Sequence, residues 1–276
     1  MPSTSARPDT WDSEGFARDL PRFDFGDLNS PREILRWLDS LALFGATLTT
    51  GVPPTYGGLR AVSDLIGIVH NTNYGTEWDI VAKDEPDTLV DSDHPLRVHT
   101  DLPYRRLPPG VQLLLCAQAD AGGGNTLLVD GYHAAAVLRD EHPDAFESLT
   151  STDRAFAYIN DSQRYVGGGP IIGLDAAGEL DVIRHAPDLV LDLRDEQQQN
   201  SADEALSAFM DIAARPAVMA QIRLDPGDAL VFNNHRVLHG RGPVDLNSGG
   251  RRLLGCYGSL DELGSSRRVL SRTLAR

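Results

Sequence analysis

Apolar residues in this chain follow two spacings in turn. Ile34, Leu35, Leu38 and Leu41 recur at helical intervals behind Ser30-Pro31-Arg32-Glu33, where Ser30 reads as N-cap, Pro31 as the first helical residue and Glu33 as the other half of a capping box. Leu43 to Leu48 then reads as a strand, and Leu59 to His70 as a second amphipathic helix. The stretch from there to Arg97 carries too few apolar residues to be core, and its part from Asp79 to Asp93 reads as a mobile element over a site.

From Val98 onward the texture changes to short apolar runs between Gly, Pro and Asp turns, the pattern of a sandwich or barrel. The predicted strands are 111–117, 126–129, 155–159, 170–174, 179–184, 220–224, 229–233 and 251–258. The two strands around Asp175-Ala176-Ala177-Gly178 form a hairpin, and Asp225-Pro226-Gly227-Asp228 makes a tight turn into Ala229. Helices are expected over 133–139 and 201–214, the second capped by Ser201 and Glu204, and Gly167 to Gly169 reads as a flexible loop. The fold class is α+β, mainly β: a jelly roll with flanking helices packed on one side. Residues 1–22 read as a loose N-terminal arm and 23–276 as one catalytic-sized domain.

Composition narrows the partners. A net charge of -15 repels phosphate backbones, so nucleic acid is excluded and a cationic small molecule is tolerated. No apolar run reaches the roughly 18 residues of a membrane helix, and Met1 to Arg18 lacks the basic-then-apolar order of a secretory leader. A cytoplasmic location is expected; a homo-oligomer is compatible with the chain. Cys116 and Cys256 lie in apolar runs and read as buried hydrophobes, not as a disulfide.

The chemistry is carried by His99-Thr100-Asp101 and, far downstream, His239. Two imidazoles and a carboxylate make the three-ligand face that holds non-haem ferrous iron and leaves positions open for a co-substrate and O2. Alternation along a strand sends His99 and Asp101 to one face and Thr100 to the other.

Several blocks resemble one family: His99-Thr100-Asp101-Leu102-Pro103-Tyr104, Pro108-Pro109-Gly110-Val111-Gln112-Leu113-Leu114, Gly122-Gly123-Gly124-Asn125-Thr126, Val129-Asp130-Gly131, Val237-Leu238-His239-Gly240-Arg241 and Arg251-Arg252-Leu253-Leu254-Gly255-Cys256-Tyr257. They are similar to the γ-butyrobetaine hydroxylase and trimethyllysine dioxygenase branch of the taurine dioxygenase superfamily, over about Asn71 to the C-terminus. The resemblance implies a double-stranded β-helix, Fe(II) held by His99, Asp101 and His239, and 2-oxoglutarate as co-substrate with O2. It also implies oxidative decarboxylation to succinate and CO2 with hydroxylation of a substrate C–H. The first 70 residues hold no cysteine and no ligand cluster, so the family's separate zinc-binding domain is not expected.

The far carboxylate of 2-oxoglutarate needs a fixed cation, and the planar fork of arginine suits it. If Tyr257 lines the cavity, period two puts Arg251 on the inward face and Arg252 on the other, and the family pattern Arg-x-Leu-x-Gly-x-Tyr selects Arg251 too. The resemblance adds Thr126 as the second partner of that carboxylate and Leu114 as a co-substrate contact.

Tyr74-Gly75-Thr76-Glu77-Trp78 matches the family's Tyr-Gly-x-x-Trp, whose aromatic faces, with Tyr257, box a quaternary ammonium by cation-π attraction. The chain departs from the family where a third tyrosine is replaced by Asp91, and where an Asn-rich stretch holding the substrate carboxylate becomes Arg184-His185-Ala186-Pro187. A carboxylate there favours a cation that donates hydrogen bonds, an amine or guanidinium, over trimethylammonium. The reading is hydroxylation of a small amine-bearing metabolite or amino-acid derivative, in secondary metabolism. Two alternatives stand: the same cofactors used for desaturation, cyclisation or rearrangement, and a non-catalytic jelly-roll binding protein or 2-oxoglutarate sensor. Asp101 argues against halogenation, which needs an open ligand position in its place.

Overall fold

A computed structural model describes residues 9–83, 92–191 and 196–276, with no side chains described for 196–201. Two sheets face each other. The larger runs in the order Arg22–Asp24, Ala46–Thr50, Ala229–Asn233, Val111–Ala119, Arg251–Gly258, Glu77–Val81; the smaller runs Ala220–Ile222, Thr126–Asp130, Val237–Arg241, Leu96–His99. All pairings within them are antiparallel except Arg22–Asp24 on Ala46–Thr50. This is the jelly roll the strand spacing predicts.

Strand alternation sorts the apolar residues into three layers. Leu114, Cys116, Leu128, Leu230, Phe232, Val237 and Leu253 fill the space between the sheets. Their strand neighbours Leu113, Leu115, Val231 and Leu254 point out of the larger sheet and meet Trp37, Leu38, Leu59, Val62 and Leu263 from the helices Pro31–Phe44, Tyr56–Ser63 and Leu260–Leu274. Val98, Val129 and Leu238 point out of the smaller sheet onto Ala135, Leu138, Leu149, Phe209 and Ile212 from Gly131–Glu141, Pro143–Ser151 and Glu196–Ala213. Helices therefore cover both sheets, not one side, because each sheet leaves an apolar outer face that needs cover.

The helix Pro31–Phe44 begins as its sequence predicts, with Ser30 Oγ accepting from Glu33 N at 3.3 Å, and it ends on left-handed Gly45. The loose arm expected over residues 1–22 is a correction for its described part. Asp12 caps a helix, Ser13–Asp19, and Trp11, Phe16 and Leu20 are buried between the sheets' edge and the core. Each buries about 1.5–3 kcal/mol of apolar surface, enough to hold a short polar segment in place.

Other elements also differ from expectation. The helix predicted over 59–70 is Tyr56–Ser63, capped by Thr55. Ser201 and Glu204 lie inside Glu196–Ala213 and are not its cap. Asp79 is not in a mobile element: Glu77–Val81 is an edge strand on Arg251–Gly258, with Trp78 opposite Gly255. Gly167 to Gly169 are not a flexible loop but part of the strand Arg164–Pro170, paired with Asp153–Ile159. Glycine is required there by closeness: a Cβ on Gly167 would lie 2.4 Å from the Tyr104 carbonyl oxygen, and one on Gly168 1.9 Å from that of Arg154. Both cysteines are free and buried, as expected.

Candidate active site

His99 ends the strand Leu96–His99, and Cα pairing sets it directly opposite His239. Their rings lie 4.4 Å apart between centroids. Asp101 is not in that strand. The chain bends after His99, and Leu102 adopts φ 56°, a left-handed backbone uncommon for a branched apolar residue. The turn brings the Asp101 carboxylate to 3.3 Å from His99 Nε2 and 3.7 Å from His239 Nε2. One ligand atom from each of the three lies within 4.8 Å of the others.

Five neighbours hold the triad. His99 Nδ1 lies 2.9 Å from the Arg97 carbonyl, which fixes the proton on Nδ1 and frees Nε2 for a metal. The Tyr257 hydroxyl donates to Asp101 Oδ2 at 2.7 Å. Asn234 Oδ1 accepts from Asp101 N at 2.8 Å, while its Nδ2 donates to the Asp101 and Pro109 carbonyls. Thr100 N donates to the His185 carbonyl at 2.6 Å, and His185 N donates back to Thr100 Oγ1 at 3.0 Å. The Phe232 ring backs His239 at 4.8 Å.

Electrostatics follow this geometry. Burial opposes charge on His99, yet the hydrogen bond and charge of Asp101 outweigh it and raise its pKa. Burial and the neighbouring His99 lower that of His239. Burial alone would raise the Asp101 carboxyl, but His239 and His99 hold it well below the usual range. Burial first, then the Asp101 charge, pushes the Tyr257 phenol well above its ordinary value. A compact anionic centre of two imidazoles and one carboxylate fits a divalent ion with nitrogen and oxygen preference.

A second feature adjoins it. Thr126, Arg251, Gly124, Cys116 and Leu253 line a small pocket with a cavity volume of about 10 Å3. Arg251 is 8% exposed, its Nε donates to the Gly124 carbonyl at 3.2 Å, and no carboxylate pairs with it among the described residues. Burial, with Arg241 nearby, lowers its pKa to about 10. A buried guanidinium without a counter-charge suits an anionic ligand, so the residues fit the distal carboxylate of a 2-oxo diacid. Leu114 sits between the sheets, opposite Gly255 and Leu230. Arg252 instead pairs with Asp79 at 2.8 Å.

Of the residues expected to bind substrate, Trp78 and Tyr257 are together, their rings 5.3 Å apart. Trp78 lies flat across Gly255, where a Cβ would come 2.2 Å from its ring. Tyr74 is 45% exposed and edges onto Tyr158 at 5.9 Å. Arg184 is not brought to these rings: its contacts are with the Pro170 carbonyl and with Gly169 and Gly173. Asp91 lies outside the described residues. The sequence reading missed Tyr104, Tyr158 and Tyr165, which stack at 5.6 and 5.8 Å beside Tyr74, and Asn73, which accepts from both Tyr104 and Arg105. Tyr158 and Tyr165 come from strands with no motif; Phe156 and Tyr158 recur at period two, while Tyr165 stands alone between Gln163 and Gly167 and gave no such signal.

The family model of the taurine catabolism dioxygenase TauD, TfdA family matches residues 6–257. The chain belongs to that family. It is 35% identical over 255 residues to a gamma-butyrobetaine dioxygenase from Pseudomonas sp., covering 92% of this chain and 67% of that one. A mitochondrial trimethyllysine dioxygenase from Rattus norvegicus is 28% identical, covering 91% of this chain and 61% of that one. A taurine dioxygenase from Burkholderia xenovorans shares the fold, with a TM-score of 0.66 at 16% identity over 93% of this chain and 91% of that one. This family member is an Fe(II)- and 2-oxoglutarate-dependent dioxygenase. Among the described residues no helix is long and apolar enough to cross a membrane.

Proposed function

We propose that the dioxygenase hydroxylates an unactivated C–H of a small cationic amine, and that each residue of the site has a stated part in it. His99, Asp101 and His239 hold the ferrous ion, in support of which stands their convergence within 4.8 Å. Arg251 and Thr126 hold the distal carboxylate of 2-oxoglutarate, with Leu114 beside it. Together iron and 2-oxoglutarate supply the oxidation, in which O2 is consumed, succinate and CO2 leave, and one oxygen atom remains on the substrate as a hydroxyl.

The observation that carries the substrate class is the pair Trp78 and Tyr257, whose faces lie 5.3 Å apart next to the Asp101 carboxylate. Aromatic faces attract a cation by their quadrupole and give an anion no such attraction. The gamma-butyrobetaine and trimethyllysine dioxygenase relatives are consistent with this in name. Asp91, where the family has a tyrosine, favours a substrate nitrogen that donates hydrogen bonds, such as an amine of a metabolite or amino-acid derivative. Tyr74 and Tyr158 extend the same wall outward.

The test compares succinate formation with butyrobetaine and with a panel of primary and secondary amines, in wild type and Asp91→Tyr. Preference for donor amines in wild type, moving toward butyrobetaine in the variant, supports the reading. An unchanged preference overturns the part given to Asp91, and no succinate with any cation overturns the substrate class.

A further inference from the structure

One cation near the co-substrate cavity has no part in the family motif. Arg223 follows the strand Ala220–Ile222, and its guanidinium reaches across to the segment that joins Val111–Ala119 to Thr126–Asp130. One of its terminal nitrogens donates to the Ala119 and Ala121 carbonyls, and the other donates to the Gly123 carbonyl at 3.1 Å. Three carbonyl oxygens, one at the end of the strand and two in the short segment after it, thus converge on one planar fork.

That segment also aims Arg251. Gly123 and Gly124 have φ of 71° and 65°, left-handed values that glycine adopts without strain. The Gly124 carbonyl accepts from Arg251 Nε, and a Cβ on Gly124 would come 2.8 Å from Arg251 Cδ. Arg223 and Arg251 line one cavity, which no acidic residue lines among the described residues, and the charge of Arg223 is among the causes that lower the Arg251 pKa, after burial and Arg241.

We propose that Arg223 is a positioning residue for the distal carboxylate of the co-substrate, a strut under the loop that orients Arg251. Resting on the reading of this cavity as the 2-oxoglutarate site, it has two effects. It ties down three carbonyl oxygens that would otherwise present lone pairs at the lip of an anion pocket, and it adds positive potential there. Both act on the far carboxylate and neither on the keto-acid end, so Arg223 makes the pocket selective for 2-oxo diacids over 2-oxo monoacids.

The test is calorimetric titration of Mn(II)-reconstituted protein, which does not turn over, with 2-oxoglutarate and with 2-oxobutyrate. In Arg223→Gln the Kd for 2-oxoglutarate is expected to rise about tenfold, the size of one charge-assisted hydrogen bond, while that for 2-oxobutyrate is unchanged. Arg223→Lys, which keeps charge but loses the fork, falls between, and it carries the test if the Gln variant does not fold. Equal weakening of both ligands, or none for 2-oxoglutarate, overturns the proposal. Wild type binding 2-oxobutyrate as tightly as 2-oxoglutarate instead overturns the assignment of the cavity on which it rests.

Discussion

The Tyr257 hydroxyl donates a 2.7 Å hydrogen bond to Oδ2 of Asp101, so one residue of the inward row of Arg251–Gly258 both faces Trp78 and orients a carboxylate of the proposed iron site. Tyr257→Phe keeps the aromatic face and loses only the hydroxyl. Outer partners of a ligand tune its affinity by about tenfold or more, so Fe(II) affinity should fall by that order, measured by anaerobic titration. Substrate KM at saturating iron should move much less.

Asn234 fixes the backbone on the other side of Asp101. It is 1% exposed and makes three hydrogen bonds, two to Asp101 and one to Pro109. Asn234→Ala strands those buried groups and is expected to cost about 1–3 kcal/mol in urea denaturation, with weaker metal binding. Asn234→Asp keeps the acceptor for Asp101 N but loses both donors, and should also destabilise.

A second buried pair ties the N-terminal segment to the core. Arg236 and Asp130 are 1% and 0% exposed, 2.7 Å apart, and between them bond the Asp9 and Leu43 carbonyls and the Trp11 amide. Removing one partner of a buried ion pair costs about 3–5 kcal/mol. Arg236→Met should therefore lower stability by that order and make residues 9–20 more susceptible to limited proteolysis than in wild type.

How much of this was legible in the chain differs by element. Ser30, Pro31 and Glu33 act locally, so the start of their helix could be read directly; the strands 229–233 and 251–258 could be read as short apolar runs between turn residues, because both of their faces are buried. Arg251 facing inward and Arg252 outward followed from period two once Tyr257 was placed in the cavity, together with the family pattern Arg-x-Leu-x-Gly-x-Tyr. The N-terminal helix was missed because Trp11, Phe16 and Leu20 are diluted among polar residues and gain their burial only from distant partners. Gly167 and Gly168 misread as a loop because their reason is a neighbouring carbonyl, not a turn. The convergence of His99 and His239 could be inferred only through a motif, since 140 residues separate strands that pair directly. Arg223 left no sequence signal, because its three acceptors are backbone.

The thiols give a pH prediction. Burial pushes Cys116 from 9.0 to about 11 and Cys256 from 9.0 to about 12. A raised folded-state value contributes stability that is complete below the unfolded value and is lost as pH rises through the folded one. Stability should therefore decline from pH 9 upward, and Cys116→Ala with Cys256→Ala should flatten that decline. Neither thiol should react with iodoacetamide at pH 8 until the protein is unfolded.

His99, Asp101 and His239 are proposed to form one iron site. Anaerobic titration of the apoprotein with Fe(II), with bound iron counted per chain in the presence of 2-oxoglutarate, reads this out. One iron per wild-type chain, with affinity lost in His239→Ala and in Asp101→Ala while both variants keep the wild-type circular dichroism spectrum, is the predicted result. Undiminished iron binding in either folded variant would contradict it.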